Sequence, residues 1–188
     1  MTSIETERLI LREWEPEDLA PFAAINQDPR VMEFMLKPLS EAETAAMIER
    51  IKAHFKQYGF GLFACTLKDS LELIGFVGLA VPAFEAPFTP CVEIGWRLAY
   101  HAWGKGYAQE AARATLKAAF ETYGLQEVVS FTVPANDRSL RLMEKIGMVR
   151  DPQGDFHHPR LPPDHPLSLH VLYRMSKNRY ERLYDSEN

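Results

Sequence analysis

Cysteine is scarce in this chain, no long apolar run occurs, and basic residues do not outnumber acidic ones. Each shortage closes off a class of function. The only two cysteines are Cys65 and Cys91, and no CxxC pair exists. Both lie in apolar, strand-like stretches, so they read as buried reduced thiols rather than a disulfide. No apolar run approaches the ~20 residues that span a bilayer. The opening MTSIETERL lacks the basic start and apolar core of a signal peptide, so a cytoplasmic protein without membrane partners is expected. Lys and Arg total 21 against 26 Asp and Glu, a formal net charge of −5. This argues against a nucleic-acid binder that relies on a strongly basic surface, while leaving room for a local basic patch.

What is present suits one well-cored domain over residues 1–188. ETERLILREW alternates and reads as a single strand. Pro16 and its acidic neighbours open a helix to about Asn26, which Asp28-Pro29 interrupts. Ser40 to Glu43 is a capping box for a second helix, ended at Tyr58-Gly59. FGLFACTL and LELIGFVGLAV read as a hairpin, VPAFEAPFTP as a loop, and VEIGWRLA as a strand. A helix follows from Ala108 to about Tyr123, with apolar or small residues at 108, 111, 112, 115, 116, 119 and 120. Gln109, Glu110, Arg113, Lys117 and Glu121 face away. VVSFTV is a strand, Asn136–Ile146 a short helix, 152–166 a Pro/His-rich loop and LSLHVLYRM a strand. The last dozen residues are polar, frayed or weakly helical by expectation. The order β-α-α-β-β-β-α-β-α-β-β predicts an α/β fold with a mixed sheet and helices on its faces.

The stretch from Gly104 to Gln109 is the chemically informative one. A backbone that approaches a diphosphate needs positions without side chains, N–H groups converging on one concavity, and a helix start behind them. Gly104-Lys105-Gly106-Tyr107-Ala108 meets those needs. It is not a P-loop, which requires GxxxxGK[ST], and it is not the dinucleotide GxGxxG, because Gln109 stands at the third glycine's place. A plain glycine turn that starts a surface helix is the competing reading.

WGKGYAQEA resembles the acetyl-coenzyme A loop of the GCN5-related N-acetyltransferases (GNAT). Their Gln/Arg-x-x-Gly-x-Gly/Ala pattern falls on Trp103-x-x-Gly106-x-Ala108. Trp103 in the first place is a feature of the branch resembling the RimJ/RimL ribosomal-protein alanine acetyltransferases. ETERLILREW, VEIGWRL, ANDRSLRLMEKIGM and HVLYRM match that branch in order, so the resemblance covers nearly the whole chain. It implies a central, mostly antiparallel twisted sheet, splayed at the cofactor site, with helices on both faces. It implies acetyl-coenzyme A as co-substrate, no metal, and direct attack by an amine on the thioester.

Residue by residue, the resemblance implies that the backbone of Trp96, Arg97 and Leu98 pairs with the pantetheine arm, an amide there polarising the thioester carbonyl. The main chain of Gly104, Lys105, Gly106, Tyr107, Ala108 and Gln109 would hold the diphosphate, and Asn136 the coenzyme arm. Asn136 also suits a helix N-cap. Many members carry a Tyr proton donor where this chain has Met143, so the general acid falls to Ser139 or to water. Glu93, an acid in an otherwise apolar strand, is the candidate base, because burial would raise its pKa. Ordering a hydrogen-bond network or facing solvent are its alternatives.

His157, His158 and His165 with Asp155 and Asp164 invite a metal reading, but their spacing is not that of a zinc site. The loop that carries them would instead border the acceptor pocket, with Trp14, Phe34, Phe84 and Phe88 as further lining candidates. The acceptor is an amine, either a small molecule or a protein N-terminus, and the protein a monomer or homodimer. A coenzyme-binding regulatory module with little turnover is the alternative.

Overall fold

A computed structural model describes residues 3–184. Eight strands form one sheet in the order β1-β2-β3-β4-β5-β6-β8-β7, where β1 is Ser3–Glu5, β2 Leu9–Arg12, β3 Leu62–Leu67, β4 Leu73–Ala80, β5 Glu93–Leu98, β6 Glu127–Thr132, β7 Val149–His157 and β8 Leu169–Ser176. The β1–β2, β2–β3, β3–β4, β6–β8 and β7–β8 pairs are antiparallel, and β5–β6 is parallel. This is the mixed, mostly antiparallel α/β architecture expected from the sequence.

The chain clusters into two compact units. The first draws on the described part of Met1–Ala80 and on Gly95–Thr115. Its helices are α1 (Leu19–Gln27), α2 (Glu41–Tyr58) and the start of α3 (Tyr107–Lys117). The α2 capping box forms as read: Ser40 Oγ accepts from the Glu43 N–H and Glu43 Oε2 from the Ser40 N–H. Asp18, nearly buried, grips Arg12 of β2 through two hydrogen bonds of 2.7 and 2.9 Å, fixing the entry to α1. Leu9, Leu11, Phe22, Phe63, Ile74 and Leu79 are fully enclosed, and Phe55 meets Phe63 edge-on at 5.0 Å. Trp14 belongs to this core: its ring lies 4.6 Å from Phe22 and its Nε1–H donates to the Leu62 carbonyl.

The second unit comprises Val81–Ile94 and the described part of Leu116–Asn188. It contains α4 (Asp137–Lys145) and α5 (Lys177–Tyr184), and a π-helical turn over Ala118–Thr122 continues from α3. Its core gathers Phe120, Val128, Met143, Ile146, Leu172 and Met175.

Three expectations need correction. The opening segment is a hairpin, not one strand: Thr6 Oγ1 accepts from the Leu9 N–H, turning β1 back on β2. The Pro/His-rich stretch begins as strand β7, which runs to His157, and a register break between Asp151 and Phe156 absorbs Pro152 and Gly154. The polar tail is helical over Lys177–Tyr184, one of its two expected states, but it is docked and not frayed. Tyr180 is 5 % exposed, Tyr184 Oη donates to the Ile146 carbonyl and Arg179 Nε to the Gly147 carbonyl. Residues 185–188, the remainder of that expectation, lie outside the described residues.

Candidate functional site

In the first unit, a 3₁₀ turn (Tyr100–Ala102) leads from β5 into the glycine loop. Gly104 and Gly106 have φ of +73° and +83°, left-handed values that L side chains resist. A Cβ on Gly104 would meet nothing within 4 Å, and one on Gly106 only Arg8 Nη2 at 3.3 Å, so the loop faces open space. The first intrahelical bond of α3 runs from the Glu110 N–H to the Gly106 carbonyl. Upstream of it, the N–H groups of Gly104 through Gln109 donate to no protein acceptor among the described residues. Consecutive unsatisfied donors beside a helix start form the cradle an oxyanion fills. The Lys105 side chain forms no ion pair among the described residues.

A polar clamp holds this loop, and the sequence reading missed it. Glu110, expected to face away, instead accepts from Thr6 Oγ1 at 2.6 Å, from the Arg8 N–H at 2.8 Å and from Arg8 Nε at 2.7 Å. Arg8 also donates to the Lys105 carbonyl and covers the Tyr107 ring. Burial pushes the Glu110 carboxyl up, but the Thr6 and Arg8 bonds together outweigh it and hold the pKa below the usual range. A carboxyl with depressed pKa contributes stability above its unfolded pKa and loses it as pH falls through the folded one. Glu110→Ala is expected to cost about 2 kcal/mol at pH 7, because several donors lose one acceptor. The urea midpoint reads this loss, and the gap to wild type should narrow in acid.

Strand β5 carries the positions implied for the coenzyme arm. At its far end the Ala99 N–H donates to the Ile74 carbonyl at 2.8 Å. Trp103 of the loop ties to the same strand end, donating from Nε1 to the Leu98 carbonyl. The Arg97 side chain lies among Asn26, Met35, Met47 and Phe76, and burial lowers its pKa to about 10.

In the second unit, the β5–β6 ladder consists of one registered pair, Glu93↔Val129, flanked by the Val129 N–H donating to the Val92 carbonyl. Ser130 Oγ donates to the Ile94 carbonyl at 2.9 Å. The Glu93 carboxyl has no hydrogen-bond or ion-pair partner among the described residues. Part of its surface stays open, yet the surrounding protein desolvates it and raises its pKa to about 8. Cys91 is pushed to about 11 by burial and by Glu93. Burial raises Cys65 to about 12. Both cysteines are free thiols, Cys65 buried and Cys91 half-buried.

Asn136 caps α4 as read: its Oδ1 accepts from the Ser139 N–H at 3.3 Å, and its Nδ2 donates to Thr132 Oγ1 at 3.0 Å. Met143 points into the core at 1 % exposure. Phe84, Phe88, Phe131 and Phe156 form an aromatic cluster, to which His158 and His170 belong, each with its pKa lowered by burial. His158 and His165 Nδ1 accept backbone N–H groups within the loop, and His157 Nδ1 contacts Ser168 Oγ. Among the described residues no three His, Cys, Asp or Glu side chains are placed to hold a metal.

The sequence matches the profile of the acetyltransferase (GNAT) domain over residues 8–149. The uncharacterized protein YkkB of Bacillus subtilis (strain 168) is 33% identical over 148 residues, 78% of this chain and 85% of its own. The uncharacterized N-acetyltransferase p20 of Bacillus licheniformis is 30% identical over 158 residues, covering 80% and 87%. A solved acetyltransferase of the GNAT family from Bacillus anthracis superposes with a TM-score of 0.77 at 27% identity, over 94% of this chain and 99% of that one.

Proposed function

The chain belongs to the GNAT acetyltransferase family, and we propose that it transfers acetyl from acetyl-coenzyme A to an amine by direct attack, within the branch resembling RimJ/RimL. The supporting observation is the run of amides from Gly104 to Gln109 that donate to no acceptor among the described residues, beside open space at Gly104. When bound, acetyl-coenzyme A supplies the activated acetyl group as a thioester. The loop amides would hold the diphosphate. The backbone of Trp96, Arg97 and Leu98 and the Asn136 amide would hold the arm, with a β5 amide opposite the thioester oxygen. Glu93 accepts a proton from the acceptor's ammonium, which an amine must lose before it can attack. A carboxyl near pH 8 lies closer to ammonium pKa values than an ordinary one. Ser139 or water gives a proton to the departing thiolate and takes up the one that the newly acylated nitrogen sheds.

The test is thiol release from acetyl-coenzyme A with amines and with peptides bearing free N-termini. The expected result is release matched by acetylated product. Met143, buried where many members carry a Tyr donor, favours one other reading, a coenzyme-binding regulatory module. Tight coenzyme binding with no release from any acceptor would select that reading.

A further inference from the structure

Arg97 stands apart from the other arginines with described ion pairs. Arg8, Arg12, Arg30, Arg150 and Arg174 each meet a carboxylate. Arg97 meets none among the described residues. A guanidinium carries five N–H donors. Here Nη1 donates to Asn26 Oδ1 at 2.7 Å, and the other polar neighbours are thioethers, Met47 Sδ at 3.9 Å and Met35 Sδ at 3.4 Å. Thioethers are weak acceptors. The Phe76 ring centroid lies 5.4 Å from Cζ. Asn26 is fully buried, and its own amide donates to Thr44 Oγ1 at 3.2 Å, so the oxygen that receives Arg97 is held in place.

Burying a charge without a counter-ion is costly, and packing alone does not require it. A methionine or leucine at 97 would suit Met35, Met47 and Phe76 better. Arg97 as a residue nevertheless keeps part of its surface open to solvent. Met35, whose sulfur it contacts, is 42% exposed, and the next residue along the chain, Leu36, is 65% exposed, which gives the segment joining α1 to α2 an apolar rim. A cation short of acceptors, one fixed amide oxygen and an accessible apolar rim describe a receptor for a compact anion with an apolar part.

We propose that the Arg97 side chain, held by Asn26, binds the carboxylate of the acceptor, so that the preferred acceptor is a free amino acid or a similarly compact amino carboxylate. The planar guanidinium fork matches a carboxylate in two parallel bonds. This rests on the acetyl-transfer reading, in which the backbone of the same residue flanks the thioester. A carboxylate on the Arg97 side chain would anchor the acceptor to the residue whose backbone flanks the thioester. A polypeptide N-terminus, whose first carboxyl is tied up as an amide, lacks the group.

The test compares thiol release for matched L-amino acids, their carboxamides and their aminophosphonate analogues, in wild type and in Arg97→Met. Carboxyl and carboxamide partners differ in amine basicity, so the informative quantity is the acid-to-amide ratio of kcat/KM in wild type over that in the variant. It is expected to be about 30-fold or more, the loss of charge-assisted bonds. Two stability readouts accompany it. Amino acids should raise the wild-type Tm while their carboxamides do not, and neither should move Arg97→Met. Without ligand, the urea midpoint of Arg97→Met should stay close to that of wild type, since removal of an uncompensated charge offsets the loss of the donor to the buried Asn26 Oδ1. A ratio near one, a preference for phosphonates, or wild-type Tm unmoved by amino acids overturns the proposal, whatever the variant's own stability. Calorimetry with acetyl-coenzyme A separates the two readings. Loss of coenzyme binding removes the transferase reading, whereas normal coenzyme binding without carboxylate preference removes this one alone.

Discussion

Gly106→Val is expected to weaken acetyl-coenzyme A binding by about 100-fold or more while leaving the protein folded. Gly106 sits at φ +83°, where L residues pay roughly 1–2 kcal/mol and a β-branched one more. The chain relieves that strain by rotating the adjoining peptide planes, which turns the Gly106 and Tyr107 amides away from the diphosphate they would hold. Each bond to a charged oxygen contributes about 1.5–3 kcal/mol, so losing two accounts for the factor. A Cβ at 106 also crowds Arg8 Nη2 at 3.3 Å and loosens the clamp on Glu110. Gly104→Ala is the graded control. Its Cβ enters open space, leaving only a backbone cost of about 1 kcal/mol and a smaller loss of affinity. Isothermal titration calorimetry measures both variants. Wild-type affinity in Gly106→Val would show that the diphosphate is held elsewhere.

How much of this was legible follows from the range over which each signal acts. The α2 capping box, the β3–β4 hairpin and the helix after Gly106 depend on residues a few positions apart, and all three formed as read. The opening hairpin did not, because Leu9 and Leu11 alternate well enough to hide the turn at Thr6. Pro152 and Gly154 signalled a loop, whereas β7 lies last in the sheet order, and such an edge tolerates both at a bulge. The Glu110 clamp joins residues more than a hundred positions apart, and charged side chains leave no periodic trace. Arg97 drew attention only for its backbone. Alternation marks a strand's two faces, but it does not say that a charged residue's face will be covered by Met35 and Met47. The Glu93 expectation rested on a buried carboxylate, and the folded chain places its carboxyl where desolvation acts without an opposing cation.

That isolation makes Glu93→Gln the second large effect. Glutamine keeps the shape and cannot take a proton, so kcat should fall by about 10²–10⁴. Acetyl-coenzyme A affinity should hold within a few-fold. In wild type the acid limb of kcat/KM should lie near pH 8, and in Glu93→Gln that limb should vanish. Stability supplies a second readout with a definite sign. The folded carboxyl titrates near 8 and the unfolded one near 4.5, so between those values the folded state holds the extra proton. Stability conferred by that proton is complete below the unfolded pKa and is lost as pH rises toward 8, by at most ~5 kcal/mol. The wild-type Tm should therefore decline from pH 5 to pH 8 more steeply than that of Glu93→Gln, which ionises in neither state. Unchanged kcat with a retained acid limb would remove Glu93 as the base. A limb retained in Glu93→Gln, together with no difference in Tm slope, would show that the carboxyl titrates normally and that some other group sets the pH of the reaction.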